Sequence, residues 1–201
     1  NPAAYTAVDR AEDERELAFL VNATGPAAIA TWSARHHVPL VHFSTDYVFD
    51  GSGHSPWRED SATGPLSVYG ASKLAGDLAV RAAGGPHLIA RTCWVYSASG
   101  ANFLRTIARL AGEREELRIV TDQVGAPTTA RAIADVVAGI VWSNVSNLEE
   151  VFARNGGVVN LACAGETSWH GFASAIVAGL KSRGVRLAVK TITPIATADF
   201  P

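Results

Sequence analysis

Tyr69 and Lys73 stand four residues apart in Tyr69-Gly70-Ala71-Ser72-Lys73. That spacing puts both side chains on one face of a helix, one turn apart. A free phenol titrates near ~10, and a neighbouring cation favours the phenolate and lowers that value. Such a pair suits a general acid that protonates a carbonyl oxygen while hydride reaches its carbon. Upstream, Val38-Pro39-Leu40-Val41-His42-Phe43-Ser44 reads as a buried strand running into Thr45-Asp46. A hydroxyl and a carboxylate thus fall at the carboxyl end of a strand, where open α/β sheets bind ligands.

The elements that must hold these groups can be read from periodicity and punctuation. Glu12 to Val21 carries Leu17, Leu20 and Val21 among charges, a short amphipathic helix. Thr24-Gly25-Pro26 reads as a cap with proline at the first helical position. The helix it opens runs to about His36, with Ile29 and Trp32 on its buried side. Residues 45–68 form a long loop, of the kind that is usually functional. Helix 69–83 carries the Tyr/Lys pair and ends at Gly84-Gly85-Pro86. Further strands are expected at His87–Arg91, Leu117–Val120, Val158–Ala162 and Val185–Ile192. Helices are expected at Asn102–Gly112, from Thr128 or Thr129 to Trp142, and from Ser168 to Ser182. Alternating strands and helices indicate an α/β fold with a mainly parallel sheet.

Composition narrows the function. The chain has 201 residues, 48% hydrophobic and 18% charged, enough for one sizeable core or two small ones. Its net charge of −2 gives no electrostatic footprint for nucleic acid or an anionic membrane. Cys93 and Cys163 fall in apolar, strand-like runs and are expected to be buried free thiols of a cytoplasmic protein. No apolar run reaches transmembrane length, and no signal-peptide pattern opens the chain. The six histidines show no metal-ligand spacing, so no metal site is expected.

The motif Ser44-Thr45-Asp46-Tyr47-Val48-Phe49-Asp50-Gly51, followed by Pro65-Leu66-Ser67-Val68-Tyr69-Gly70-Ala71-Ser72-Lys73, resembles the extended short-chain dehydrogenase/reductase superfamily. The wording is similar to its dTDP-4-dehydrorhamnose reductase family. Ala3-Ala4-Tyr5-Thr6-Ala7-Val8-Asp9, Arg91-Thr92-Cys93-Trp94-Val95-Tyr96, Asn102-Phe103 and Asp122-Gln123-Val124-Gly125-Ala126-Pro127-Thr128 agree in the same order. The resemblance implies a Rossmann-type, mainly parallel sheet lacking its N-terminal glycine-rich half, with part of a smaller substrate domain. The expected division is 1–114 in the Rossmann domain, 115–127 as an excursion, 128–164 as a return, and 165–201 in the substrate domain. No glycine-rich dinucleotide turn occurs, and methionine is absent. The chain is therefore expected to be an internal stretch of a longer protein, binding NAD(P)H weakly on its own.

The resemblance also implies roles. Thr45, Tyr69 and Lys73 would be catalytic, with NADPH or NADH as cofactor. Ala3, Ala4, Tyr5, Tyr69 and Lys73 would contact the cofactor. Thr6, Val8, Thr45, Asp46, Trp94 and Asn102 would face a dTDP-sugar, whose C4 keto group is reduced. Related dehydratases carry Asp-Glu after the threonine. Here Asp46 is followed by Tyr47, which leaves out the base for water elimination and favours simple reduction. Some members bind magnesium at a subunit contact through an acid whose position here is Arg131. A homodimer is compatible with the resemblance; magnesium is not expected. The competing readings are another sugar-nucleotide 4-ketoreductase or epimerase, and a non-catalytic regulatory subunit of the same fold.

Overall fold

The computed structural model describes residues 1–200. In chain order the first elements are α1 (Arg10–Asp13), α2 (Arg15–Phe19), a π turn (Leu20–Thr24), α3 (Gly25–Arg35), β1 (Leu40–Thr45), α4 (Val68–Ala82) and β2 (His87–Thr92). Then come β3 (Val95–Tyr96), α5 (Phe103–Glu113), β4 (Glu116–Val120), β5 (Val124–Gly125), β6 (Thr128–Thr129), α6 (Ala130–Ser143) and α7 (Leu148–Asn155). The chain closes with β7 (Gly157–Leu161), β8 (Thr167–Ser168), α8 (Trp169–Ser182) and β9 (Thr191–Ile195). It forms two compact units, residues 1–92 with 137–161 and residues 93–136 with 162–200. The chain leaves the first unit at Cys93, earlier than the boundary at 114 expected from sequence.

The first unit is built on a parallel sheet of order β1-β2-β7. Its register sets Ser44 beside Arg91, and Arg91 beside Asn160. Side chains alternate along a strand, so His42 and Ser44 share a face, and Ile89 and Arg91 continue it. Helix α4 lies against β1 and β2. Ser67 caps it by accepting a hydrogen bond from Gly70 N at 3.1 Å. Glu12 Oε1 accepts a second from Val68 N at 2.9 Å, so two N–H groups that a helix leaves unpaired are satisfied. Gly84, at φ 72°, ends the helix in the left-handed conformation. Val80 and Ile89 meet Ala30 and Leu40 in one core cluster. Burying a side chain of this size stabilises by about 1.5–3 kcal/mol.

Helix α3 buries the opposite stripe to the one expected. Pro26, Ala30 and Ser33 are inside, while Ile29 and Trp32 are 41% and 55% exposed. Thr24 is no cap: it has helical φ/ψ and no side-chain bond, and the π turn leads straight into α3.

The second unit packs α5 and α8 with β4 and β9 around Ile107, Ala111, Leu117, Ala173, Val177 and Val189. Its last strand begins at Thr191, later than the expected Val185. The preceding Val189 is drawn into the core while its N–H bonds Ala111 O at 3.0 Å. Cys93 is buried as expected; Cys163 is exposed, because it sits in the loop after β7 rather than in the strand. Among the described residues no helix is long and apolar enough to cross a membrane, and no three His, Cys, Asp or Glu cluster to hold a metal.

Gly70 is where α4 approaches the turn after β1 most closely: a Cβ there would collide with the carbonyl oxygen of Tyr47. Gly70→Ala is expected to destabilise the protein by about 1–3 kcal/mol through overpacking against backbone. Urea unfolding of both proteins measures this, and an unchanged midpoint would contradict it.

Candidate active site

Thr45 ends β1 in extended conformation, and its Oγ1 accepts from Tyr47 N at 3.2 Å, capping a 3-10 turn over Asp46–Val48. The same hydroxyl donates to Asp46 Oδ1 at 3.1 Å. Tyr69 opens the first turn of α4. Its ring meets the Tyr47 ring edge-on, with centroids 5.7 Å apart. Thr45, Asp46, Tyr69 and Lys73 lie in the first unit, at the carboxyl end of β1 and on the first turns of α4.

The electrostatics differ from the expectation. Burial pushes the Tyr69 phenol up; the Thr45 hydroxyl pulls it down and the Asp46 charge raises it. Lys73 is not what sets the phenol. Its Nζ donates to Phe43 O at 2.6 Å, so the ammonium is turned toward the strand. A phenol held up stays protonated at neutral pH, which is the form a general acid needs.

Lys73 is only 2% exposed. Burial lowers its pKa, and Asp77, one turn further along α4, opposes that. Asp77 is 1% exposed and accepts from Arg91 Nε at 3.3 Å. His42 Nε2 lies 4.0 Å from the other carboxylate oxygen. Ser44 Oγ faces the carboxylate and favours its charge without forming a well-directed hydrogen bond. His42 is fully buried, and burial first, then the Lys73 charge, push it down to about 3.

Asn22 is a second feature that sequence reading missed. It is fully buried in the π turn. Its Oδ1 accepts from Tyr5 N at 2.8 Å, and its Nδ2 donates to Tyr5 O and Ser72 Oγ, both at 3.0 Å. This amide ties the Ala3-Ala4-Tyr5 segment to α4. Tyr5 OH donates to Glu14 at 2.6 Å, Thr6 is exposed and Val8 is half-buried.

Trp94 and Asn102 belong to the second unit. Trp94 has φ 43°, a left-handed conformation that costs a bulky residue energy. Its ring stacks on Trp169 at 3.5 Å between centroids, and Trp169 Nε1 donates to Gln123 Oε1 at 3.1 Å. A Cβ at Gly125 would lie 2.6 Å from the Trp94 indole. The 122–128 loop therefore shapes an aromatic wall. Asn102 caps α5 through Arg105 N, and its amide hydrogens go to the carbonyls of Ser97 and Ser99.

A parallel sheet with threonine at a strand's carboxyl end and Tyr-x-x-x-Lys on the following helix defines a chain of the extended short-chain dehydrogenase/reductase class. The whole chain, residues 1–201, matches the family described as RmlD substrate binding domain. It is 49% identical over its full length to a dTDP-4-dehydrorhamnose reductase of Burkholderia thailandensis, covering 68% of that protein. A crystal structure of a Clostridium acetobutylicum dTDP-4-dehydrorhamnose reductase superposes with TM-score 0.86 at 37% identity, over 99% of this chain and 65% of that one. One from Bacillus anthracis, solved in complex with NADP, gives TM-score 0.86 at 34% identity, over 98% and 65%. The chain belongs to the RmlD substrate binding domain family, and it spans about two thirds of the length of these relatives.

The buried His42 predicts acid sensitivity. Between pH 6.5 and about 3 the unfolded chain binds a proton at this residue and the folded chain does not. Stability is therefore complete above that window and falls as pH falls through it, by up to about 1.4 kcal/mol per pH unit. His42→Gln is expected to flatten the pH dependence of unfolding free energy over this range. Equal slopes for the two proteins would contradict the assignment.

Proposed function

We propose that this chain carries the catalytic acid of an NAD(P)H-dependent reductase acting on the C4 keto group of dTDP-4-dehydro-L-rhamnose and giving dTDP-L-rhamnose. The observation that carries the reading is Thr45, Tyr69 and Lys73 gathered at the strand end, with Tyr47 where a dehydratase would carry an acid. Tyr47 packs its ring against Tyr69 and supplies no base for eliminating water. The relatives named dTDP-4-dehydrorhamnose reductase and the NADP complex of one of them support the substrate and cofactor.

The residues present fit the nicotinamide end of such a cofactor. Lys73 carries three donors and places one on Phe43 O, and Asn22 fixes the backbone of Tyr5 next to α4. Lys73, Tyr69 and the 3–5 segment would hold it. When bound, NAD(P)H supplies the hydride. Thr45 hydrogen-bonds the substrate carbonyl and aligns it on Tyr69. Tyr69 then gives its proton to the oxygen on which charge develops. The Lys73 cation stabilises the phenolate left behind. Asp46, Thr6, Val8, Trp94 and Asn102 are proposed to contact the dTDP-sugar, in a cytoplasmic enzyme.

Loss of 340 nm absorbance with the intact protein, NAD(P)H and dTDP-4-dehydro-L-rhamnose tests this. Tyr69→Phe is expected to cut kcat by about 10²- to 10⁴-fold with folding retained. Unchanged turnover in the variant would remove Tyr69 as the acid, and no turnover in either protein would remove the substrate assignment.

A further inference from the structure

Beside Lys73 lie Asp77, Arg91 and His42, which the reductase reading leaves without a task; all four are 5% exposed or less. Tyr69, Lys73 and Asp77 repeat every four residues along α4, so one helix stripe carries phenol, ammonium and carboxylate in order. From β2, Arg91 reaches Asp77 at 3.3 Å. From β1, His42 approaches it at 4.0 Å and Ser44 faces it.

An isolated buried ammonium is costly and tends to lose its proton. Among the described residues, Asp77 is the acid whose charge raises the Lys73 pKa against burial. The Arg91 guanidinium lies over the Phe49 ring, 5.2 Å from the centroid. Burial raises the Asp77 pKa, and Ser44, Arg91 and Lys73 pull it back toward the charged form. With His42 neutral, Lys73, Arg91 and Asp77 sum to one positive charge, which a phenolate at Tyr69 would cancel.

We propose that Asp77 is a positioning residue: its buried carboxylate, anchored by Arg91, is the counter-charge that keeps Lys73 an ammonium beside Tyr69. The functional half of this inference rests on the reductase reading; the charge relation does not. Removing the carboxylate leaves Lys73 without its counter-charge, so it loses its proton more easily. Removing Arg91 takes away a charge that favours the ionised carboxylate, so it weakens the same counter-charge.

Lysine labelled at ¹³Cε can be titrated in the intact protein, with Lys73→Met assigning the Lys73 signal. Asp77→Asn is expected to move the Lys73 midpoint down by about one pH unit or more. Arg91→Gln is expected to move it down by less, and Asp77→Glu to leave it near the wild-type value. A midpoint unmoved in Asp77→Asn and in Arg91→Gln, or moved as far by Asp77→Glu as by Asp77→Asn, would overturn the proposal. In the 340 nm assay, the alkaline limb of kcat should move to lower pH in Asp77→Asn and return in Asp77→Glu. An unmoved limb beside lowered midpoints would overturn the catalytic half alone. Absent turnover in wild type beside lowered midpoints would overturn the reductase reading and leave the charge relation standing.

Discussion

A lysine side chain sealed from water needs an opposite charge close by, and in this protein that need organises the first unit. Lys73 cannot satisfy itself with the strand carbonyl of Phe43 alone. The carboxylate of Asp77 answers it from the same helix, and Arg91 answers Asp77 from the sheet. Helix α4 must therefore sit over β1 and β2 at one rotation and one height. The close approach of Gly70 to Tyr47 and of Gly76 to Asn22 permits that seating. The Ser67 cap and Glu12 fix where the helix begins. Tyr69 is carried into its place as a result.

The chemistry available at the site follows from where charge is and is not compensated. The phenol is held protonated by burial while Thr45 draws it toward ionisation. A group balanced in this way can release a proton when a strongly basic oxygen develops beside it and take one back afterwards. The aromatic wall of the second unit is built by different means. Trp94 is forced into a left-handed backbone, and the stack with Trp169 and the absent side chain at Gly125 accommodate the strain.

Much of this was legible in the sequence, for reasons that are local. Tyr69, Lys73 and Thr45 could be located because helix period and strand ends are written in short windows. The helix starts at Asn102 and Ser168 could be read for the same reason, and both residues cap their helices. The Asp77–Arg91–His42 group could not, because it exists only through the register that sets Ser44 beside Arg91. The four-residue step from Lys73 to Asp77 was a signal available and unused. Ile29 and Trp32 misled because hydrophobicity was taken to mark the inner face of α3. Close approach to α4 instead requires small residues, and Ala30 and Ser33 meet it. The last strand moved because Val189 is apolar for the sake of the core, not of a sheet.

The π turn at Leu20–Thr24 carries a consequence for chain length. A wider turn holds one residue more than an α-helical path would use, and the chain on either side keeps its helical phase because the turn absorbs that surplus. Asn22 meets both Tyr5 and Ser72 from within the widened turn. Deleting one residue between 20 and 24 would let the turn close as ordinary α-helix with the flanking phase nearly kept. Ala11 and Ala18 would keep their packing on Val68, and the change would fall on the Asn22 amide. In this stretch the surplus residue serves one side chain's reach rather than the seating of the helices around it.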